Sequence, residues 1–541
     1  MLKLRGIAFE AEKIYFMTQD QSIQKIEDER VTRESLDAAL MRFQALTESL
    51  PFGPCMNDFF ISFRELVKAD FKIRGARWLN AFELGAIAKW VYLRGHARRN
   101  ATGDGPTILN SYKEVWRATE EATAYPCEPS VEATFVLRFV YQQLIWNISQ
   151  SKMQANFTRV RGIFGGLSNH SVNLRDKFEQ AAGIPFDEFL KAAHVLYGLF
   201  LKTGESIPDF QLHDTLLKRL PKSTIDGALR ILSVTRGGLR KYYQNRLAVS
   251  DAVGFVYELN PLLRYPIIYR DDRYWCVYPE LINYAATRGM YFFITDFSDA
   301  GLNAAFANAF EAYVADILRT AYGLDNVLTE EAERKTGWTG KNNDVTVILH
   351  NAALLLECKN SGLFSVAKRS ADPVDIANDI RKNLANAEKG KGLFQLYDKI
   401  NAIKAGSLPK ALQDKYANVT NYFPVLLLHD EIWFANRPEV MKNLINEELR
   451  VHGISSFSYQ IWHVEELERL LMTVPREQLP TVLDEKFNDP RYSSLDLTAY
   501  LSCRFGLPGL GISLFLPHGE SKALKILRKL ADADDNSTTE C

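Results

Sequence analysis

One stretch constrains the fold of this chain more than any other. From Asn343 to Lys359 it reads Asn343-Asp344-Val345-Thr346-Val347-Ile348-Leu349-His350-Asn351-Ala352-Ala353-Leu354-Leu355-Leu356-Glu357-Cys358-Lys359. Two short apolar runs flank a polar break, and the charges stand at the outer ends. Runs of this length, rich in β-branched and aliphatic residues, read as two strands and not as one buried helix. Successive strand side chains alternate faces. With Asn351-Ala352 as a two-residue loop, His350 pairs with Ala353, Thr346 with Glu357, and Asp344 with Lys359. Asp344, Glu357 and Lys359 then crowd one face at the open end. Val345, Val347, Leu349, Leu354 and Leu356 point the other way into packing, and Ile348 and Leu355 keep the distal part of the first face apolar too.

The surrounding pattern places these strands in a layered domain. Helical periodicity runs over 303–321, and 392–403 also reads as a helix. Further strands are expected at 422–429 and 457–464, and Asp271-Asp272 between aromatic and β-branched runs predicts a hairpin. This order suggests an α/β or α+β layer architecture. Upstream, residues 1–250 read as mostly helical. Segments 34–50, 81–93, 132–148 and 186–202 have apolar residues at helical spacing, separated by Pro/Gly breakers. The fold class expected is multidomain. A mostly α-helical N-terminal region (1–250) precedes an α/β domain (251–480) with a central mixed sheet flanked by helices. A C-terminal extension (481–541) carries short strands, TAYLSCRF and GISLFLP, and a helix.

Composition narrows the function. The 541 residues allow two to four domains at about 150 residues each. Lys and Arg total 65 and Asp and Glu 66, a net charge of −1, which excludes a globally basic coat protein but leaves room for a local basic channel. The six cysteines form no C-x-x-C, and no H-E-x-x-H occurs, so disulfide scaffold, zinc ribbon and zincin are all unsupported. The N-terminus lacks a secretory h-region, and no apolar stretch is long enough to span a bilayer. A reduced, cytoplasmic location is the simplest expectation.

Two carboxylates and a lysine meeting at a strand end repel and lose solvation unless something binds there. Oxygen donors at this density suit a hard dication, Mg²⁺ first and Mn²⁺ as substitute. A lysine beside such an ion can orient or help deprotonate a water, which is the equipment of metal-assisted phosphodiester hydrolysis. The pattern D-x₁₂-E-x-K across a hairpin, between two helices, resembles the PD-(D/E)xK nuclease superfamily, the restriction-endonuclease-like fold, over roughly residues 303–464. The resemblance implies that Asp344 is the metal-binding Asp, Glu357 the acid of the (D/E)xK element and Lys359 the catalytic lysine. It implies that Glu311 completes the metal site from the first core helix, and that Gln395 is the glutamine on the helix after the lysine. It also implies that the Cys358 backbone carbonyl is a further metal oxygen. Asn343 stands where the motif's Pro would be.

The same residues have plainer readings. An E-x-K at a strand end also serves as a solvated pair that discourages edge pairing, and Glu311 and Gln395 could be ordinary polar helix positions. Lys341, Lys368 and Arg369 flank the motif strands and are expected to touch phosphates. The basic and aromatic segment 234–246 could track a nucleic-acid backbone or be a solvated helix face, and so could 94–99. The expected activity is an Mg²⁺-dependent nuclease, with DNA favoured over RNA. An RNase of the same fold, or a non-catalytic nucleic-acid-binding scaffold, is the alternative. By analogy of domain arrangement, the helical region is expected to recognise a target or restrain the nuclease until a protein or nucleic-acid trigger arrives, as in bacterial anti-phage defence. A homo-oligomer is compatible with cutting both strands.

Overall fold

The structure is a computed structural model. It describes residues 81–94, 150–165, 174–247, 260–290, 300–360, 373–430 and 435–505, with short pieces between 38 and 46 and a few single positions besides. The helix expected over 132–148 and the segments at 94–99 (beyond Arg94), 255–259, 368–369 and 506–541 lie outside the described residues.

The described chain is mostly helical, with two mixed sheets and one short two-stranded ladder. The strands are β1 (Ser206–Pro208), β2 (Ser233–Thr235), β3 (Ile267–Arg270), β4 (Arg273–Trp275), β5 (Val327–Thr329), β6 (Val345–Leu349), β7 (Ala352–Lys359), β8 (Ala385–Asn386), β9 (Lys391–Gly392), β10 (Asn421–Leu428) and β11 (Gln460–His463). Four helices matter for the site: α1 (Gln150–Gly165), α2 (Ala300–Tyr322), α3 (Leu393–Lys404) and α4 (Val464–Thr473). Among the described residues no helix is long and apolar enough to cross a membrane.

The larger sheet has the order β11-β10-β7-β6-β5. β10 lies parallel to both β7 and β11, while β6 runs antiparallel to β7 and to β5. Helices cover both faces, which is why β7 and β10 are apolar almost throughout instead of alternating. On one face Val345, Val347, Leu354, Leu356 and Trp462 meet Phe310, Val314 and Leu318 of α2, Leu467 and Leu470 of α4, and Val160 and Ile163 of α1. On the other, Leu355, Leu426 and Ile461 meet Leu393, Leu396 and Ile400 of α3 together with Ile376, Ile380 and Leu449. The first cluster is continuous from Val160 to Leu501, so it joins helices of the N-terminal half to the sheet.

The expected hairpin at 271–272 forms, with both aspartates left-handed (φ 51° and 54°), as a tight two-residue connection requires. It pairs with β1 and β2 in the smaller sheet, order β1-β4-β3-β2, so the 206–235 stretch contributes strands as well as helices.

Two expectations are corrected. The β6–β7 turn is His350-Asn351 and not Asn351-Ala352. His350 takes the left-handed conformation (φ 49°), one that His tolerates better than bulkier side chains, and Ala352 joins the ladder opposite Leu349. Thr346 therefore faces Leu355, two residues from the expected partner. A slip of two preserves every facing, whereas a slip of one would have inverted them all. The segment TAYLSCRF, expected as a strand, lies within the helix Leu497–Phe505, with Leu497, Tyr500 and Leu501 buried at a three-to-four-residue period. The described part of the C-terminal extension carries helices, Leu479–Asn488 among them, and no strand.

Candidate active site

The site forms where β6 begins and β7 ends. Asp344 immediately precedes β6, and its backbone N–H donates to the Leu356 carbonyl (3.1 Å). Its carboxylate accepts the Cys358 backbone N–H at 2.6 Å, which clips it against β7. Glu357 is only 2% exposed. One of its oxygens accepts from Lys359 Nζ at 2.5 Å and the other from Gln395 Nε2 at 3.0 Å. Gln395 comes from α3, on the sheet face toward which Glu357 points. Its amide also donates to the Asn342 carbonyl, so one side chain ties the acid of β7 to the loop that delivers Asp344. Glu311 approaches from α2, half-buried, and shares an electrostatic environment with Asp344 and Lys359.

The electrostatics record an excess of negative charge. Burial raises the Asp344 carboxyl to about 6, with Glu330 adding to it, against the pull of Lys359 and the Cys358 N–H. Burial, then repulsion from Asp344 and Glu330, raises Glu311 to about 8, although Lys359 opposes the shift. Glu357 is pushed up by burial and by Asp344 and Glu311, with Lys359 countering. Burial works against the Lys359 ammonium, but Glu357 and Asp344 outweigh it and push the amine up to about 12. One ammonium thus faces three carboxylates that resist ionisation together, which is the condition a bound cation relieves.

The donor chemistry, three carboxylates and a strand-end carbonyl, fits a hard dication such as Mg²⁺ or Mn²⁺. Among the described residues, no group of three or more His, Cys, Asp or Glu side chains stands together as a ready cage. As placed, Lys359 and Gln395 occupy both oxygens of Glu357. Cys358 is buried among the core residues of the opposite face, so only its backbone could serve a site here.

Behind the site lies a network the sequence did not reveal. Lys399, one turn beyond Gln395 on α3, is fully buried; its Nζ donates to Glu333 at 2.6 Å and to the Asn342 side chain at 2.8 Å. Tyr416 donates its hydroxyl to the other oxygen of Glu333 (2.9 Å). Asn343, where the motif would carry Pro, uses its side-chain amide to donate to the carbonyl of Val345 (2.7 Å) and to Thr346 Oγ1 (3.0 Å), which braces the start of β6. The i,i+4 spacing of Gln395 and Lys399 was the available signal, since it puts both on one helix face.

The expected phosphate contacts divide. Lys341 is exposed on the loop before Asp344, where its Nζ donates to the Lys389 carbonyl at 2.8 Å. Lys368 and Arg369 lie outside the described residues. In the basic segment at 234–246, Thr235 caps a short helix by accepting from the Gly238 N–H, and Arg236 and Arg240 both donate to the Leu93 carbonyl near the end of the helix Ala81–Arg94. Those two cations close a helix terminus. No family model matches the chain, and comparison with curated proteins and with solved structures finds no match either.

Proposed function

We propose that this chain is a metal-dependent nuclease that hydrolyses phosphodiester bonds, with DNA as its first substrate, on a restriction-endonuclease-like core. One observation carries the reading. Asp344, Glu357, Lys359 and Gln395 converge at the ends of two adjacent strands, with Glu311 close enough to push up the Glu357 carboxyl and to be pushed up by Asp344. Asp344 and Glu357, the Cys358 carbonyl and Glu311 would hold Mg²⁺ or, as substitute, Mn²⁺. When bound, the ion supplies Lewis-acid polarisation of the scissile phosphate and acidifies a water. Lys359 orients the attacking water and offsets the charge that builds on the phosphate. Gln395 holds Glu357 and the 342–344 loop in register. Lys341 contacts the nucleic-acid backbone, and a role for the N-terminal half in target recognition, such as phage defence, belongs to the same proposal.

The reading is tested by incubating the full chain with single- and double-stranded DNA and with RNA in Mg²⁺, Mn²⁺ or EDTA, beside Lys359→Ala. Metal-dependent cleavage lost in the variant supports it, and a requirement for the 2′-OH would reassign the enzyme as an RNase. A second reading, a nucleic-acid-binding scaffold without turnover, is favoured by the engagement of both Glu357 oxygens. Calorimetric Mn²⁺ binding by the wild type and not by Asp344→Ala favours the enzyme. Absence of binding in both favours the scaffold.

A further inference from the structure

A second buried charge cluster lies away from the strand ends, on α4. Its start, Val464-Glu465-Glu466-Leu467-Glu468-Arg469, has the composition of a solvated helix face, yet Glu465, Glu466 and Glu468 are all at most 5% exposed. Each is answered from a different part of the chain. Glu466 accepts the backbone N–H groups of His463 (3.1 Å) and Thr498 (3.0 Å). Glu465 accepts from the Arg288 guanidinium at 2.8 Å. Glu468 receives a fork: Arg159 Nε and Nη2, on α1, each donate at 2.7 Å, and the Tyr313 hydroxyl, on α2, donates at 2.7 Å. Arg159 Nη1 donates to Asn156 at 2.8 Å, so the guanidinium is held on both sides. A Cβ at Gly162, on the same helix, would stand 2.6 Å from the Tyr313 ring, so α1 meets α2 at a distance that glycine alone permits.

Tyr313 is two residues from Glu311. A helix is stiff over that span, so whatever fixes the rotation and depth of α2 at Tyr313 also fixes where Glu311 stands. We propose that Arg159 is a positioning residue for the candidate site. Through Glu468 and Tyr313 it sets α2, and with it Glu311, against the strand ends. The segment 150–165 is on this account a working part of the site and not a detachable sensor. The consequence for cleavage rests on the nuclease reading, whereas the mechanical coupling does not. A bidentate fork is a matter of shape as much as charge, and lysine cannot reproduce it.

The test uses the full-length chain with Arg159→Lys and Gly162→Ala. Amide hydrogen exchange is read on peptides covering 305–316 and, as a control, on β10. Mn²⁺ affinity is read by calorimetry, and kcat is separated from KM. Both variants are expected to speed exchange over 305–316 selectively, to weaken Mn²⁺ binding by about tenfold, and to lower kcat with KM little changed. Wild-type protection at 305–316, or faster exchange spread evenly over the molecule, would overturn the inference. If Arg159→Lys does not fold, Gly162→Ala decides it. A wild type that binds no Mn²⁺ and cuts nothing would remove the nuclease reading, and the exchange data would still judge the coupling.

Discussion

Glu357 and Glu468 are buried to a similar depth, 2% and 5% exposed, but their surroundings differ in kind. Glu468 meets a guanidinium through two N–H bonds and a phenol through a third, and the guanidinium is itself held by Asn156. Glu357 meets one ammonium and one amide, while Asp344 and Glu311 crowd it and burial drives its carboxyl up. The first arrangement is complete and ties three helices together. The second has negative charge left over. Buried charge with all its partners present reads as architecture, and buried charge with a surplus reads as a place prepared for a cation or a reaction.

This contrast can be broken by substitution. The largest effect is expected from Lys359→Ala, which removes the site's ammonium: metal-dependent cleavage should fall by about 10³-fold, ~4 kcal/mol of transition-state stabilisation. Rates near wild type would exclude a catalytic role. Arg159→Met leaves Glu468 buried without its fork and should cost about 3–5 kcal/mol of stability, read from denaturant midpoints. A loss below ~1 kcal/mol would show the junction to be weak. Lys399→Met, which takes the ammonium away from buried Glu333 and leaves it the Tyr416 hydroxyl, is expected to cost ~3 kcal/mol, and the double variant Glu333→Leu/Lys399→Met should recover most of it. A double variant no more stable than the single one would mean that the pair is not coupled.

Glu311→Gln sharpens the comparison with the opposite sign. The Glu311 carboxyl is raised from its ordinary 4.5 to about 8, so the folded chain keeps a proton there that the unfolded chain releases. Stability from this group is full below pH 4.5 and is lost as pH rises toward 8. The glutamine variant should lose that slope and gain ~3 kcal/mol over wild type at pH 8 relative to pH 5. Parallel pH profiles for the two proteins would refute the surplus-charge account. Lys341→Ala is the smallest change: a few tenths of a kcal/mol in stability, but a salt dependence of DNA binding shallower by about one phosphate contact. An unchanged slope would remove Lys341 from the interface.

Much of the site was legible in the sequence because strand periodicity is short-range. The facings of Asp344, Glu357 and Lys359 survived an error in the turn because the error was two residues, and the side-chain period is also two. The helical periodicity read over 303–321 holds in α2, where Phe310, Val314 and Leu318 are all fully buried. The turn differs from the expectation because His350 itself adopts the left-handed conformation, one that Asn in the dipeptide after it also favours. The helix Leu497–Phe505 reads as a strand in sequence because TAYLSCRF is short and β-branched at its start, and its period shows only once Leu497, Tyr500 and Leu501 find a common core.

By itself the sequence determined the strand pair, its two faces, and the meeting of two carboxylates and a lysine at one end, since each follows from local spacing along an extended chain. Only the tertiary structure decided that Gln395 and Glu311 reach that end from helices on opposite faces of the sheet. It alone decided that Lys399, Arg159, Glu465 and Glu468, which look solvated in sequence, are buried with partners at 2.8 Å or less. A lone charged residue in a helix carries no record of the segment that will neutralise it. For Arg159 that segment lies 309 positions away, and only the packing of α1, α2 and α4 on one sheet brings the two together.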